Sequence, residues 1–402
     1  MKKILPYRVL ILPSWYQPDG GTFFRDHAEA LNSKEFEVHV LVNRTITFTG
    51  NSLNEILLSG RRSEKDENGV LVCRRSTLKW PKFEKWNLNR WIRKYIRHFE
   101  QYRVKHGLPD IMIVQSSIWA GAVAARLKKA FHIPYILVEH RGRFTEHLEL
   151  SEEYFESWYI DYLKGAFNNA NRLVCVSEAL KNKISTISNI PVSEISTIPN
   201  LVDTEFFAPS GRTRELLPFI FLSAGILQHI KGFDILLGAF ARFLEQNDGE
   251  FFLRIAGKGK DEKKLKKYAA DLGIIDRVSF LGKVSRERIK DEMQRSNVVV
   301  LPSRFESFGV VLIEAIATGC PIIATRSGGP ESIVNKSNGF LVSVENEEEL
   351  ADAMERMYLS YENFNPEVIR NEAVEKYSSE YVCEKYRTLI RETIDEYSII
   401  GS

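Results

Sequence analysis

The chain has 402 residues, 44% hydrophobic and 27% charged, with a formal net charge of +2. That length suits two domains or one large one, the composition is that of a soluble globular protein, and the near-neutral balance excludes nucleic-acid binding by bulk charge. Cys73, Cys175, Cys320 and Cys383 form no C-x-x-C pair, so they are expected to be reduced core residues of a cytosolic protein rather than zinc ligands or disulfides. Pro6 and Arg8 interrupt the N-terminal apolar run, which argues against a leader peptide, and no run approaches the ~20 residues of a membrane span.

Arg8–Leu12 reads as a first strand. A turn-rich loop, Pro13–Gly21, follows it, then a helix over Thr22–Leu31 with Phe23, Phe24, His27, Ala28 and Leu31 on one face. Phe36–Val42 is the next strand. This β–loop–α–β opening places Gly20 and Gly21 at a helix N-terminus, where backbone approaches a ligand closely, although Asp-Gly-Gly is also plain turn chemistry. Arg44–Lys85 is expected to be irregular, with a hairpin around Val70–Arg74 and little else. Trp86–Lys105 has helical periodicity: Leu88, Trp91, Ile92, Tyr95, Ile96, Phe99 and Tyr102 share one face, and Arg90, Arg93, Lys94, Arg97 and Lys105 the other. Lys82–Lys105 holds eight Lys/Arg against two Glu. Its basic face suits either simple solvation or contact with anionic lipid or a diphosphate-bearing acceptor.

Asp110–Val114 and Tyr135–Val138 read as strands around a helix over Ile118–Phe131 whose small residues allow tight packing. The second of these strands runs into Glu139-His140-Arg141-Gly142. A histidine past a parallel strand's carboxyl end is placed at a ligand cleft, but a hydrogen-bonded loop histidine has the same pattern. A helix over Tyr154–Ala170, a strand over Arg172–Val176, a short helix over Ala179–Ile184 and a strand over Ile195–Ile198 complete a first α/β unit, with a linker near Asp203–Leu216. A second unit restarts at the Phe219–Ala224 strand. Lys231 stands before a Gly232–Leu244 helix, where its ammonium and the free N–H groups converge on a phosphate-sized space. Phe251–Ala256 leads to Gly257-Lys258-Gly259, and Arg277–Leu281 to Gly282-Lys283-Val284. Glu347–Tyr358 and Glu380–Tyr397 read as helices.

Val298–Gly329 is the most informative stretch. Val298–Leu301 and Pro321–Ala324 read as buried strands, joined through a helix over Phe308–Ala317, with Ser307 as its cap and Gly319 and Pro321 ending it. Glu314 is the only charge in that apolar helix, where an unpaired carboxylate is costly. Glu306 lies in the loop feeding the helix start, beside the N–H groups of Ser307, Phe308 and Gly309. Acceptors beside a donor-rich helix end suit a ligand with hydroxyls and phosphate; a solvent-facing Glu314 and a plain loop Glu306 remain equally compatible with the spacing alone.

The pattern Glu306-x7-Glu314 within ESFGVVLIEA, followed by GCPIIAT and SGG, resembles the donor-site signature of glycosyltransferase family 4. VCVSEALKNKI with IPNLVDTEFFAP resembles the end of that family's N-terminal domain, with Leu201 where a glycine is usual. Gly225-Ile226-Leu227…Lys231-Gly232 resembles its G-R-L…K-G phosphate element, with Ile226 replacing the arginine. The resemblance implies a GT-B fold: two Rossmann-like α/β domains facing a cleft, residues 1–205 on the acceptor side, 206–378 on the donor side, and a C-terminal helix, 379–402, crossing back. It implies a retaining transferase moving a hexosyl-type sugar from a nucleotide sugar, UDP before GDP, to a glycan or lipid-linked saccharide. The setting implied is bacterial-type surface polysaccharide synthesis, in the cytoplasm or at the inner face of the membrane.

The same resemblance distributes roles. His140 contacts the transferred sugar, and Arg141 and Arg143 are candidate phosphate or acceptor contacts. Glu306 takes sugar hydroxyls, Glu314 takes the ribose, and Lys231 holds the diphosphate. Gly21, Gly225, Gly257, Val284, Ser307, Phe308, Gly309 and Val310 line the donor. No D-x-D occurs, so no metal site is expected, and no cofactor beyond the nucleotide sugar as substrate. Two other readings share the architecture: a non-catalytic sugar-nucleotide-binding partner subunit, favoured by Ile226, and a sugar-nucleotide epimerase, which would need further acid/base groups in the cleft.

Overall fold

A computed structural model describes residues 6–17, 22–48, 51–141, 157–211 and 216–400. The first half builds one sheet from β1 (Tyr7–Pro13), β2 (Phe36–Ile46), β3 (Arg62–Glu67), β4 (Val70–Leu78), β5 (Ile111–Gln115), β6 (Tyr135–Glu139), β7 (Arg172–Cys175) and β8 (Ile195–Thr197). Helices α1 (Thr22–Leu31), α2 (Leu53–Leu57), α3 (Glu84–His106), α4 (Ala122–Phe131), α5 (Ser157–Asn168) and α6 (Lys181–Ser188) connect them. The strand order is β3-β4-β2-β1-β5-β6-β7-β8, parallel except for the antiparallel β3–β4 pair. Central strands such as β1 and β5 are buried along nearly their whole length, because helices cover both faces of a parallel sheet.

The second half forms a six-stranded sheet, ordered β11-β10-β9-β12-β13-β14. Its strands are β9 (Phe219–Ala224), β10 (Phe251–Ala256), β11 (Val278–Gly282), β12 (Val298–Leu301), β13 (Ile322–Thr325) and β14 (Gly339–Val342). Around it lie α7 (Phe233–Gln246), α8 (Glu262–Asp271), α9 (Arg286–Arg295), α10 (Val310–Ala317), α11 (Glu347–Leu359), α12 (Pro366–Tyr377) and α13 (Ser379–Ile400). Helix α13 returns to the first sheet. Arg391 pairs with Glu35 through two 2.6 Å contacts, Arg387 donates to the Ala30 carbonyl at 3.2 Å, and Tyr386 lies against His27. Among the described residues no helix is long and apolar enough to cross a membrane.

Several boundaries differ from the sequence expectation. The stretch 44–85 is far more regular than expected: β2 runs on to Ile46, and β4 pairs with it in parallel from His39↔Leu71 to Ile46↔Leu78. The alternation that would reveal β3 is lost because this edge strand carries charges on both faces (Arg-Ser-Glu-Lys-Asp-Glu), as edge strands do. Helix α4 starts at Ala122 rather than Ile118, because Trp119 adopts φ +70° and interrupts the helical turn. Positions 154–156 of the expected Tyr154–Ala170 helix lie outside the described residues. All four cysteines are buried and none forms a disulfide. Cys73 has Glu64 and His106 close by, their ligand-type atoms within 4.8 Å of one another, and Lys105 contacts the Glu64 carboxylate.

Both sheets reverse their strand order once, between β1 and β5 in the first and between β9 and β12 in the second. Crevices at the carboxyl edge form at such points. Close backbone approach at the second edge depends on glycine: Gly257 has φ +143°, and a Cβ there would stand 1.8 Å from the Gly225 carbonyl oxygen. Gly257→Ala is therefore expected to lower unfolding free energy by at least about 2 kcal/mol, measured by denaturant titration; an unchanged midpoint would refute this account of the loop packing.

Candidate functional site

The second sheet's reversal brings together residues 75 positions apart. The chain leaving β9 forms a short turn, His229–Lys231, then passes through Gly232 (φ +64°) into α7. The chain leaving β12 carries Pro302–Gly309 into α10. Lys231 Nζ donates to Glu306 Oε2 at 2.5 Å, and Ser303 Oγ approaches the same carboxylate oxygen at 3.4 Å. Arg304 fixes this juxtaposition. Its guanidinium binds both Asp234 oxygens at 2.8 and 2.9 Å, Glu345 at 2.7 Å and the His229 carbonyl at 2.6 Å. Such a bidentate fork sets orientation as well as distance. Arg304 was not singled out from the sequence; it lies two residues before Glu306, and its partner Asp234 lies three after Lys231.

Ser307 does not cap a helix. Glu306 and Gly328 form a parallel bridge, with Glu306 N–H donating to the Ser327 carbonyl and Gly329 N–H to the Glu306 carbonyl. Backbone at Gly329 presses against Phe308, where a Cβ would stand 2.3 Å from the Phe308 nitrogen. The chain therefore passes from the bridge at Glu306 through bends at Ser307 and Phe308 instead of entering a helix there. Helix α10 begins at Val310, with Gly309 (φ +100°) as its left-handed N-cap. Among the described residues the N–H groups of Phe308 and Gly309 have no acceptor, so they remain available to a ligand. The Ser307 carbonyl instead accepts from Ser177 Oγ of the first domain at 2.6 Å.

Glu314, one turn into α10, is partly buried. Burial pushes its pKa up to about 7; Arg286 pulls it down and Asp26 pushes it up. Those two neighbours join the domains, with Arg286 of α9 contacting Asp26 of α1 at 2.7 Å. Gly225, Gly257 and Val284 lie side by side at the ends of β9, β10 and β11. Gly225 N–H donates to the Ala256 carbonyl at 3.0 Å, and Gly257 N–H to the Gly282 carbonyl at 2.8 Å. Ile226, where an arginine was expected, is 58% exposed.

His140 is on the first sheet's edge, so the structure does not join it to the Lys231–Glu306 pair. It is buried against Phe23 and Phe24, and its Nε2 contacts Gln115 Oε1 at 2.5 Å. Gln115 reaches on to His27 Nδ1 at 3.1 Å. Burial holds the His140 pKa down at about 3, with His27 nearby adding to the effect; the imidazole is neutral at working pH. The loop bearing His140 hangs on Glu139, whose buried carboxylate accepts from the backbone N–H of Ser117, His140 and Arg141 and from the hydroxyls of Ser116 and Ser117. Arg141 donates to Ser116 Oγ and stacks on Trp15. Gly21 and Arg143 lie outside the described residues.

Two family models cover the chain almost end to end: Glycosyltransferase Family 4 over residues 20–206 and Glycosyl transferases group 1 over residues 211–374. The chain belongs to the group 1/family 4 glycosyltransferases. An uncharacterized glycosyltransferase of Methanocaldococcus jannaschii is 26% identical to it over 83% of this chain and 85% of its own length. The fold is GT-B. Sucrose-phosphate synthase from Thermosynechococcus elongatus superposes with a TM-score of 0.79 at 20% identity, covering 97% of this chain and 100% of that one. Anabaena HepE, solved in complex with UDP-glucose, gives 0.70 at 19% identity over 96% and 99%. In this glycosyltransferase the paired glutamates of α10 and its feeding loop thus sit at the reversal of the second GT-B sheet.

The titration of Glu314 has a measurable consequence. Its folded pKa exceeds the ordinary 4.5, so between these values the native state holds a proton that the unfolded chain has lost, and this group's contribution to stability falls as pH rises through that window. Glu314→Gln removes the effect. The melting-temperature difference, variant minus wild type, is expected to grow more positive from about pH 5 to about pH 8. A difference that stays flat across scans in matched buffers would contradict the burial of this carboxyl.

Proposed function

We propose that this glycosyltransferase moves a hexosyl-type sugar, with retention, from a UDP-sugar to a glycan or lipid-linked saccharide in surface polysaccharide or glycoconjugate synthesis. The reading is carried by one observation: Lys231, Glu306 and the acceptor-free N–H groups of Phe308 and Gly309 converge at one strand-order reversal. The UDP-glucose complex of HepE supports the choice of nucleotide. Glu314 holds the ribose hydroxyls, Glu306 holds sugar hydroxyls, and Gly225, Gly257 and Val284 flank the base. In transfer the bond from the anomeric carbon to the diphosphate oxygen breaks, and the diphosphate leaves with the electron pair. The acceptor oxygen bonds to the anomeric carbon on the same face, and its proton passes to the departing diphosphate oxygen. Lys231 and the N–H groups of Phe308 and Gly309 face the leaving oxygens, an electrostatic contribution that usually dominates such sites. Neutral His140 orients the sugar from the opposite wall. Without a D-x-D pair the positive potential comes from these groups rather than from a chelated metal.

The division of labour between the glutamates separates this reading from simple nucleotide binding. Glu314→Gln is expected to weaken UDP and UDP-sugar alike, because ribose is common to both. Glu306→Gln is expected to spare UDP and to reduce transfer. Calorimetric titration with UDP and with a panel of UDP-sugars reads this directly; equal losses of UDP affinity in the two variants would sink the assignment.

Lys231 is the second test. With Ile226 in place of an arginine, Lys231→Ala should cost on the order of 10²–10³ in turnover, the scale for losing one preorganised donor. Adding Ile226→Arg to Lys231→Ala should restore part of it if both positions serve one phosphate. Near wild-type turnover of Lys231→Ala would move the diphosphate elsewhere and favour a non-catalytic binding subunit.

A further inference from the structure

Helix α2 is tied to the sheet by an ion pair, Glu55 to Arg44 of β2 at 2.6 Å, and leaves its apolar residues uncovered. Ser52 and Glu55 close a capping box at its start, yet none of its residues is buried, and Leu53 and Leu57 are each 73% exposed. Burial of an apolar face normally stabilises so short a helix; here that face meets solvent. It is not alone. Phe48, Trp80, Phe83 and Trp86 are exposed as well, and Phe48 and Trp80 pack edge to face at 5.3 Å.

The fold brings the segments that carry these side chains to one edge of the sheet. Strands β2 and β4 are parallel neighbours ending in register at Ile46↔Leu78, and Lys79 N–H donates to the Ile46 carbonyl. Residues 47–48 and 79–86 therefore leave the sheet side by side, at its carboxyl edge. Buried Asn87 holds the second segment by exchanging two hydrogen bonds with the Trp80 backbone. The same edge carries His140, three strand spacings away from β2, or roughly 15 Å.

The charge beside the patch is mainly positive, and the carboxylates there, Glu55 and Glu84, are each paired with a cation. Lys79–Arg97 contains seven Lys/Arg and one carboxylate, Glu84, and Glu84 pairs with Lys79 at 2.7 Å. Lys82, Lys85, Arg93 and Arg97 are exposed. Arg90 lies over the Trp86 ring at 5.2 Å. Exposed leucines and aromatics at the rim of a basic field match the interface of an anionic bilayer: the apolar tips enter the headgroup boundary, tryptophans favour that depth, and cations meet the surface potential. Of the Trp86–Lys105 stretch, the stripe Leu88, Trp91, Tyr95, Phe99 and Tyr102 is buried in the core, and the first turn with the exposed Arg93 and Arg97 faces solvent.

We infer that this patch, built from α2 and the two segments around it, docks the protein on an anionic lipid surface and turns the acceptor side of the cleft toward a membrane-resident acceptor. The acceptor clause rests on the cleft being the transfer site; the docking clause does not. The full chain is incubated with vesicles of phosphatidylcholine alone and of phosphatidylcholine mixed with phosphatidylglycerol, and bound protein is measured by sedimentation. Wild type should bind the mixed vesicles at low salt and release at high salt. Leu53→Ser with Leu57→Ser, and Phe83→Ser with Trp86→Ser, should each lower partitioning about tenfold or more; Lys82→Glu with Lys85→Glu should do so on the order of tenfold. Melting temperatures and the thermal shift given by UDP should match wild type in all three. No binding of wild type to the mixed vesicles, or equal binding by all variants, overturns the proposal. So does light scattering that finds a wild-type dimer dissolved by the same changes, which would make the face a self-contact. Loss of the UDP shift in wild type with vesicle binding intact would instead remove the donor-site reading and leave docking standing.

Discussion

The candidate site depends on a property of the second sheet rather than of any loop. Strands β9 and β12 are hydrogen-bonded neighbours, although α7, β10, α8, β11 and α9 lie between them in the chain. Their carboxyl ends must open side by side, one carrying Lys231 and the other Glu306. Sheet topology sets the approach to within a few ångströms; the Arg304 fork onto Asp234 and the His229 carbonyl sets the remainder. Arg304 is largely buried, so neutralising it would leave Asp234 without its main partner and free the two loops to drift apart. A displacement of about 1 Å is enough to degrade a site that works by positioning.

Two carboxylates near the cleft show how environment divides roles. Glu139 is buried and accepts from five donors across Ser116, Ser117, His140 and Arg141. A carboxylate so satisfied organises backbone and has little capacity left for a ligand. Among the described residues Glu314 has no such set: burial raises its pKa, and its charged neighbours oppose each other. An acceptor left unsatisfied in partly desolvated surroundings is poised for hydroxyl donors, which is the chemistry a ribose brings. His140 follows the same logic with opposite sign, since burial keeps it neutral and a neutral imidazole positions without adding charge.

The parts legible in the sequence were those written in local pattern. Parallel strands buried on both faces appear as apolar runs, so β1, β5, β9, β12 and β13 and the rhythm of both domains could be read directly, as could the buried stripe of α3. The Glu306–Glu314 pair stood out because one charge interrupts an apolar helix. Features created by tertiary contact were not legible. Edge strand β3 carries charge on both faces and so shows no period. The start of α10 is displaced to Val310 by the bridge between Glu306 and Gly328, which joins strands' ends far apart in sequence. Arg304, Gln115 and the Asp26–Arg286 pair gain their significance only from partners 25 to 260 positions distant.

The Asp26–Arg286 contact ties these threads together. It spans the two domains, with Arg286 also lying over the rings of Phe206 and Phe207 beside the linker. It is the charge environment of Glu314 at the same time. Any relative movement of the domains that separates Asp26 from Arg286 removes the anion that pushes Glu314 up and leaves the cation that pulls it down. The contact that closes the seam between the domains is thus also the one that sets the balance of charge around Glu314, so the seam and the candidate site are built from the same side chains.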